Sequence, residues 1–350
     1  MGVESAAGGP RPVGVGVIGT GIMGADHLKT LHHYVSGAAV IMVADVDLGR
    51  ARGVVAGLPD VRATDDGLAL IGDPAVDAVV IASADATHAD LAVAAVQAGK
   101  PVMCEKPLAP TLPECLRVVQ AELAAVGAGG PPLVSVGFMR RFDPGYLELK
   151  SALEAGACGT PLLLHCVSRG VASGPGSTSE SSVTGSAIHE LDVVPWLLDA
   201  PIVEVSWHAP RSSGAVPELQ DPQLLLLRTA DGALTTVEVF LNARYGYDIR
   251  CEVIGDRGTV ALTNPARVVA DADRRRATGY PADWRPRFAD AYRLELQAWV
   301  DAVLAGRPAP LATAHDGLVA SAVAEAVIAS MHGRGRSVAV ELPTLDQAAR

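Results

Sequence analysis

Six residues constrain this chain more than any other stretch. Gly19-Thr20-Gly21-Ile22-Met23-Gly24 follows directly on the apolar run 13–18 and opens a helical segment. Glycines at that spacing permit a tight turn, let the backbone approach an anion and let the helix pack closely on the strand, while the helix start offers unpaired amides. A second apolar run ends at Asp45, 21 residues past Gly24, where a carboxylate accepts hydrogen bonds from a ribose. A glycine-rich turn with Asp45 merely capping the next helix would explain each feature but not their spacing. The pattern predicts a dinucleotide site built from Gly19, Gly21, Ile22, Met23, Gly24 and Asp45. A carboxylate repels a 2′-phosphate, so NAD is the expected cofactor and NADP the disfavoured one, with Arg50 and Arg52 downstream softening that preference.

Four further Val/Ile-rich runs, 39–45, 76–82, 101–104 and 133–138, alternate with Ala-rich stretches, which predicts a parallel sheet covered on both faces. Thr87 with Asp90 and Thr111 with Glu114 have the spacing of capping boxes. A Gly/Pro linker at 127–132 places a boundary near Gly137. Beyond it, apolar runs at 162–168, 203–208, 224–229, 234–241, 249–254 and 259–263 are joined by turns such as Asp256-Arg257-Gly258, with helices expected at 144–155, 187–199, 288–305 and 316–331. The expected fold is α/β, with a loose tail at 1–12, an N-terminal Rossmann dinucleotide-binding domain at 13–137, and a C-terminal α+β domain with a large, mostly antiparallel open sheet at 138–345. The Ser/Gly-rich segment 170–182 reads as a mobile loop beside a site or as disordered chain.

A net charge of −11 argues against nucleic-acid binding, which needs a cationic face. Arg274-Arg275-Arg276 is interleaved with Asp271 and Asp273 and reads as solvated surface. Five cysteines without a C-x-x-C pair suggest reduced thiols in a cytoplasmic protein and no thiolate metal site. No apolar run approaches the ~18 residues of a membrane span.

Lysine occurs at four positions against 24 arginines, and one of the four, Lys106, follows the run 101–104 at the carboxyl edge of the predicted sheet. There an ammonium can donate to a substrate oxygen and release a proton, which arginine cannot; pairing with Glu105 is the plainer reading. On the helix at 187–199, His189, Asp192 and Trp196 share one face, with Ile188, Leu191 and Val194 on the other. A histidine one turn from a carboxylate suits acid/base work. A core histidine, or a metal site with Glu190, are the competing readings, and no metal is expected.

These residues, with Thr87-His88, Glu105-Lys106-Pro107, Gly137-Phe138-Met139-Arg140-Arg141-Phe142-Asp143 and His189-Glu190-Leu191-Asp192, resemble the Gfo/Idh/MocA oxidoreductase family, and within it the inositol dehydrogenases. The resemblance implies NAD-dependent oxidation of a ring secondary alcohol of a cyclitol or sugar to a ketone. It implies that Lys106 bonds the reacting oxygen, that His189 moves the hydroxyl proton, that Asp192 and Arg140 position the ring, and that Tyr245, Tyr247 and Trp196 line its site. Ser83, His88, Glu105 and Lys106 join the cofactor residues, and a homo-tetramer or homodimer pairs through the exposed sheet face. Members with this histidine motif usually carry Asp four residues before the His, and here that residue is Gly185, so a larger or amino-substituted ring is expected. Non-catalytic regulators and NAD-dependent glycosidases of the same fold are the alternatives.

Overall fold

The computed structural model describes residues 11–127, 129–263 and 268–344. They form two compact units, one comprising the described chain up to Gly137 with Tyr292–His315, the other Phe138–Ala291 with residues 316–344. Where the sequence suggests a single crossing at Gly137, the chain therefore returns to the first unit late. An apolar helix stripe at 288–305 does not state which sheet it covers, so this return was not legible. Of the expected tail, residues 1–10 lie outside the described residues, and Arg11 pairs with Asp77 at 2.7 Å.

In the first unit, β1 (Val13–Ile18), β2 (Ala38–Ala44), β3 (Arg62–Thr64), β4 (Ala78–Ile81), β5 (Val102–Glu105) and β6 (Val134–Gly137) lie parallel in the spatial order β3-β2-β1-β4-β5-β6. The two-residue strand Ala312–Thr313 adds antiparallel to β6. Every residue of β1, β4, β5 and β6 is buried, which is why they read as unbroken apolar runs. Edge strand β3, Arg-Ala-Thr, has no such signature and is absent from the sequence reading. Thr111 caps its helix, accepting from the Glu114 amide at 3.4 Å. Thr87 does not. Its backbone is already helical, and its hydroxyl donates backward to the Ala84 carbonyl at 2.8 Å.

In the second unit, β7 (Pro161–Arg169), β8 (Ile202–His208), β9 (Gln223–Thr229), β10 (Leu234–Phe240), β11 (Asp248–Gly255) and β12 (Thr259–Ala261) form a sheet in the order β12-β11-β7-β10-β9-β8, extended by Val338–Ala339. All pairings are antiparallel except β7 with β10. Alternate residues of each strand, such as Leu164, Cys166, Leu225, Leu227, Val237 and Val253, are buried on one face. The opposite face, with Leu163, Val167, Leu224, Leu226, Leu234 and Phe240, is half covered. A separate hairpin of β13 (Val269–Ala272) and β14 (Arg275–Thr278) is exposed along its length, so the arginine run is a solvated surface as expected, though its strands were not foreseen. The segment 170–182 ends in a short helix, Ser179–Ser182, capped by Thr178. All five cysteines are buried and outside any disulfide. Among the described residues no helix is long and apolar enough to cross a membrane.

Candidate active site

In the first unit a cavity of about 810 Å³ opens along the carboxyl edge of the sheet. Because β5, β4, β1 and β2 are neighbours, the residues at and just past their ends line it in order: Glu105 and Lys106 at the end of β5, Ser83 after β4, Gly19 and then Gly21 to Met23 after β1, Asp45 after β2. Strands lie ~4.8 Å apart, so three spacings separate its ends by roughly 14 Å.

The glycine turn works as its spacing requires. Gly19 has φ +89°, and a Cβ there would stand 2.4 Å from the Ala82 carbonyl. A Cβ on Gly24 would lie 1.8 Å from the Gly19 carbonyl, so this residue, which does not line the cavity, sets the contact of helix and strand. A Cβ on Gly21 would meet nothing within 4 Å. The helix Ile22–Tyr34 that starts here has no side-chain cap. Open space in front of uncapped amides suits a pyrophosphate.

Asp45 is bound into the same turn. Its Oδ2 accepts from the amide and hydroxyl of Thr20, both at 2.8 Å, and its Oδ1 from the Asp47 amide at 2.9 Å. Burial pushes this carboxyl up, but the amides of Asp47 and Thr20 outweigh that and hold it below the usual range. Arg50 stands 3.6 Å from Asp45 and lines the cavity. His88, expected to bind cofactor, lines the cavity and is also a brace. Its ring nitrogens lie 2.8 Å from the Pro107 carbonyl and 3.2 Å from that of Ser83, which ties together the segments after β5 and β4.

The second unit places its sequence candidates in three surroundings. Arg140 is 1% exposed; its Nη1 donates to Glu190, while Nε and Nη2 have no partner among the described residues. Burial pushes the Glu190 carboxyl up despite the guanidinium beside it. Beside Arg140 stands Tyr247, whose phenol burial pushes up to about 12. Arg140 is thus a buried charge partner before it is a ligand group, and its two spare nitrogens suit an internal water or a ligand oxygen.

Asp192 gives both carboxylate oxygens to Arg141, at 2.6 and 3.0 Å. The sequence reading paired it with His189, one turn away. Arg141, 51 residues distant, takes that place, and no local pattern announces it. Burial pushes the Asp192 carboxyl up to about 6, with Arg141 pulling the other way. Asp192 and Trp196 line a hollow of about 270 Å³ with Arg141 and Asp316. The two-faced helix expected at 187–199 is Ile188–Leu198, covered nearly all round, with His189 buried edge-on to Phe138 at 6.3 Å. A π-turn, Val183–Ala187, precedes it and contains Gly185, where a Cβ would meet nothing within 4 Å.

The third surrounding separates the two tyrosines. Tyr245 is 46% exposed; its hydroxyl donates to Asp248 and accepts from Arg169 at 3.1 Å beside Glu238 and Phe240, on the half-covered sheet face. Tyr247 instead packs against Phe288 at 6.3 Å. Sequence reasoning missed His27, whose ring joins Glu105 at 2.7 Å. A signal existed, since His27 falls on the same helical face as Gly24 and Leu31, both buried.

Comparison with known proteins decides the lineage. The NAD-binding Rossmann fold of the Gfo/Idh/MocA oxidoreductases matches residues 13–125, and their C-terminal alpha/beta domain matches 150–340. The chain belongs to the Gfo/Idh/MocA oxidoreductase family. It is 54% identical over 330 residues to inositol 2-dehydrogenase 2 of Paenarthrobacter aurescens, covering 94% of this chain and 99% of that one. Inositol 2-dehydrogenase 1 of Saccharopolyspora erythraea is 51% identical, over 94% and 97%. Among solved structures, myo-inositol dehydrogenase from Lactobacillus casei in complex with NAD(H) and myo-inositol superposes with a TM-score of 0.90 at 33% identity, covering 96% of this chain and all of that one. Membership makes the cavity of the first unit an NAD site, and every feature of the glycine turn fits that cofactor.

Proposed function

We propose that the protein oxidises a ring secondary alcohol of a cyclitol to a ketone with NAD. The observation that carries this reading is the single cavity that holds the glycine turn and Asp45 at one end and Lys106 at the other. Its volume falls within the range of small-molecule and cofactor sites. The inositol 2-dehydrogenases named above support the substrate class, and they favour neither a regulator nor a glycosidase.

NAD, held by the glycine turn and Asp45, would supply the hydride acceptor for the carbon that bears the reacting hydroxyl. Lys106 donates a hydrogen bond to that oxygen and stabilises charge developing on it. The family resemblance gives the hydroxyl proton to His189. Asp192 holds Arg141 in place, and Arg140 and Tyr247 are buried polar groups beside Glu190. Open space beside Gly185 supports a ring with a bulky or amino substituent, an aminocyclitol or glycoside. The half-covered sheet face, with six apolar side chains, supports a homo-oligomer paired through it, and the cysteines outside any disulfide support a cytoplasmic setting.

The test is a panel of inositols, aminocyclitols and hexosides incubated with NAD, followed by reduced-nicotinamide absorbance. At least one cyclitol should be oxidised. Lys106→Met should lower kcat by roughly a thousandfold at nearly unchanged NAD affinity. A panel with no turnover, despite NAD binding, would sink the enzyme reading. Substituted rings turning over no better than myo-inositol would remove the role given to Gly185.

A further inference from the structure

Beneath the Lys106 end of the cavity lies a buried pair that no proposed step uses. His27, wholly buried on the helix that starts at the glycine turn, sets its Nε2 2.7 Å from Glu105 Oε1. The other Glu105 oxygen accepts from the Lys106 amide at 3.2 Å. Tyr292 covers the imidazole edge-on, with ring centroids 5.7 Å apart. His27 Nδ1 is buried and has no partner among the described residues. The bonded ring nitrogen faces Glu105, so that one carboxylate oxygen is held by His27 and the other by the Lys106 amide. Burial pushes the Glu105 carboxyl up, but its hydrogen bond and charge interaction with His27, with Lys106 beside it, outweigh that and hold it below its ordinary value.

Glu105 lines the cavity together with Lys106, at the end away from the ribose-binding Asp45. Resting on the NAD reading, that end receives the nicotinamide. The oxidised ring is cationic and the reduced ring neutral, so a lysine alone would disfavour the oxidised form. We propose that His27 is a positioning residue that fixes a negative charge on Glu105 under the nicotinamide end, and so biases the site toward NAD over NADH.

The test is the ratio of the Kd for NAD to the Kd for NADH, from calorimetry and NADH fluorescence without any turnover. Glu105→Gln keeps the shape and removes the charge. His27→Leu removes the donor, so that the stranded carboxyl takes up a proton. Each should raise the ratio about tenfold, the scale of one nearby charge in a partly solvated site. His27→Gln, which restores an N–H donor, should return the ratio to within about twofold of the wild-type value. An unchanged ratio in Glu105→Gln overturns the proposal, as does an equal weakening of both cofactors in a folded His27→Leu. Should His27→Leu not fold, Glu105→Gln decides alone. A wild-type protein that binds neither cofactor would overturn the NAD reading instead.

Discussion

The cofactor cavity of the first unit and the helix Ile188–Leu198 of the second are built by opposite means. Along the cavity the backbone makes the site, through three glycines, uncapped helix amides and a carboxylate held by amides. Around the helix, side-chain charges buried in pairs make it, Arg140 with Glu190 and Arg141 with Asp192. A backbone site needs residues at fixed short spacing and so can be read in sequence. A side-chain site needs partners about 50 residues apart, which only the fold brings together. The turn, Asp45 and the Lys106 strand end were therefore legible and His27 was so by its helical face, whereas Arg141 and the separation of Tyr245 from Tyr247 were not.

If that contrast is right, the second region should be the more fragile to charge removal. Arg140→Met leaves Glu190 buried without its partner and should cost about 3–5 kcal/mol in denaturant unfolding. Arg140→Met combined with Glu190→Leu should recover most of the loss. A single mutant within about 1 kcal/mol of wild type would mean that the pair is solvated and that the contrast fails.

The first region should break on volume instead, and only at chosen glycines. Gly24→Ala forces a methyl against the Gly19 carbonyl and should destabilise by about 1–3 kcal/mol, with loss of NAD binding. Gly21→Ala has room in the protein alone, so its thermal midpoint should stay within a degree or two while NAD affinity falls by roughly tenfold. If both variants lost the same stability, the division between packing glycine and ligand glycine would be wrong.

Acid titration separates the regions by sign. The Asp192 carboxyl, raised to about 6, contributes stability that is full below its ordinary value of 3.8 and is lost as pH rises through 6. The loss is on the order of 3 kcal/mol for a shift of about two units. Asp45, held below its ordinary value, acts the other way, stabilising above it and losing that contribution in acid. Stability measured from pH 4 to 7 should fall in the wild type relative to Asp192→Asn. Parallel curves for the two proteins would place the Asp192 charge in a solvated setting.

The smallest effect tests how far the backbone site depends on charge at all. Asp45→Asn removes the negative charge but keeps one carbonyl oxygen for the Thr20 amide, so the turn should survive. Arg50, now 3.6 Å from Asp45 and from Asp47, would keep only the second carboxylate and become available to a 2′-phosphate. The ratio of NAD to NADP affinity should therefore drop about tenfold, near 1.4 kcal/mol, and Arg50→Ala added to Asp45→Asn should restore part of it. A drop without any effect of Arg50 would assign the preference to carboxylate repulsion alone. No drop would mean that glycine packing and helix amides select the cofactor without help from the acid, which would carry the contrast between the two regions further than the structure now requires.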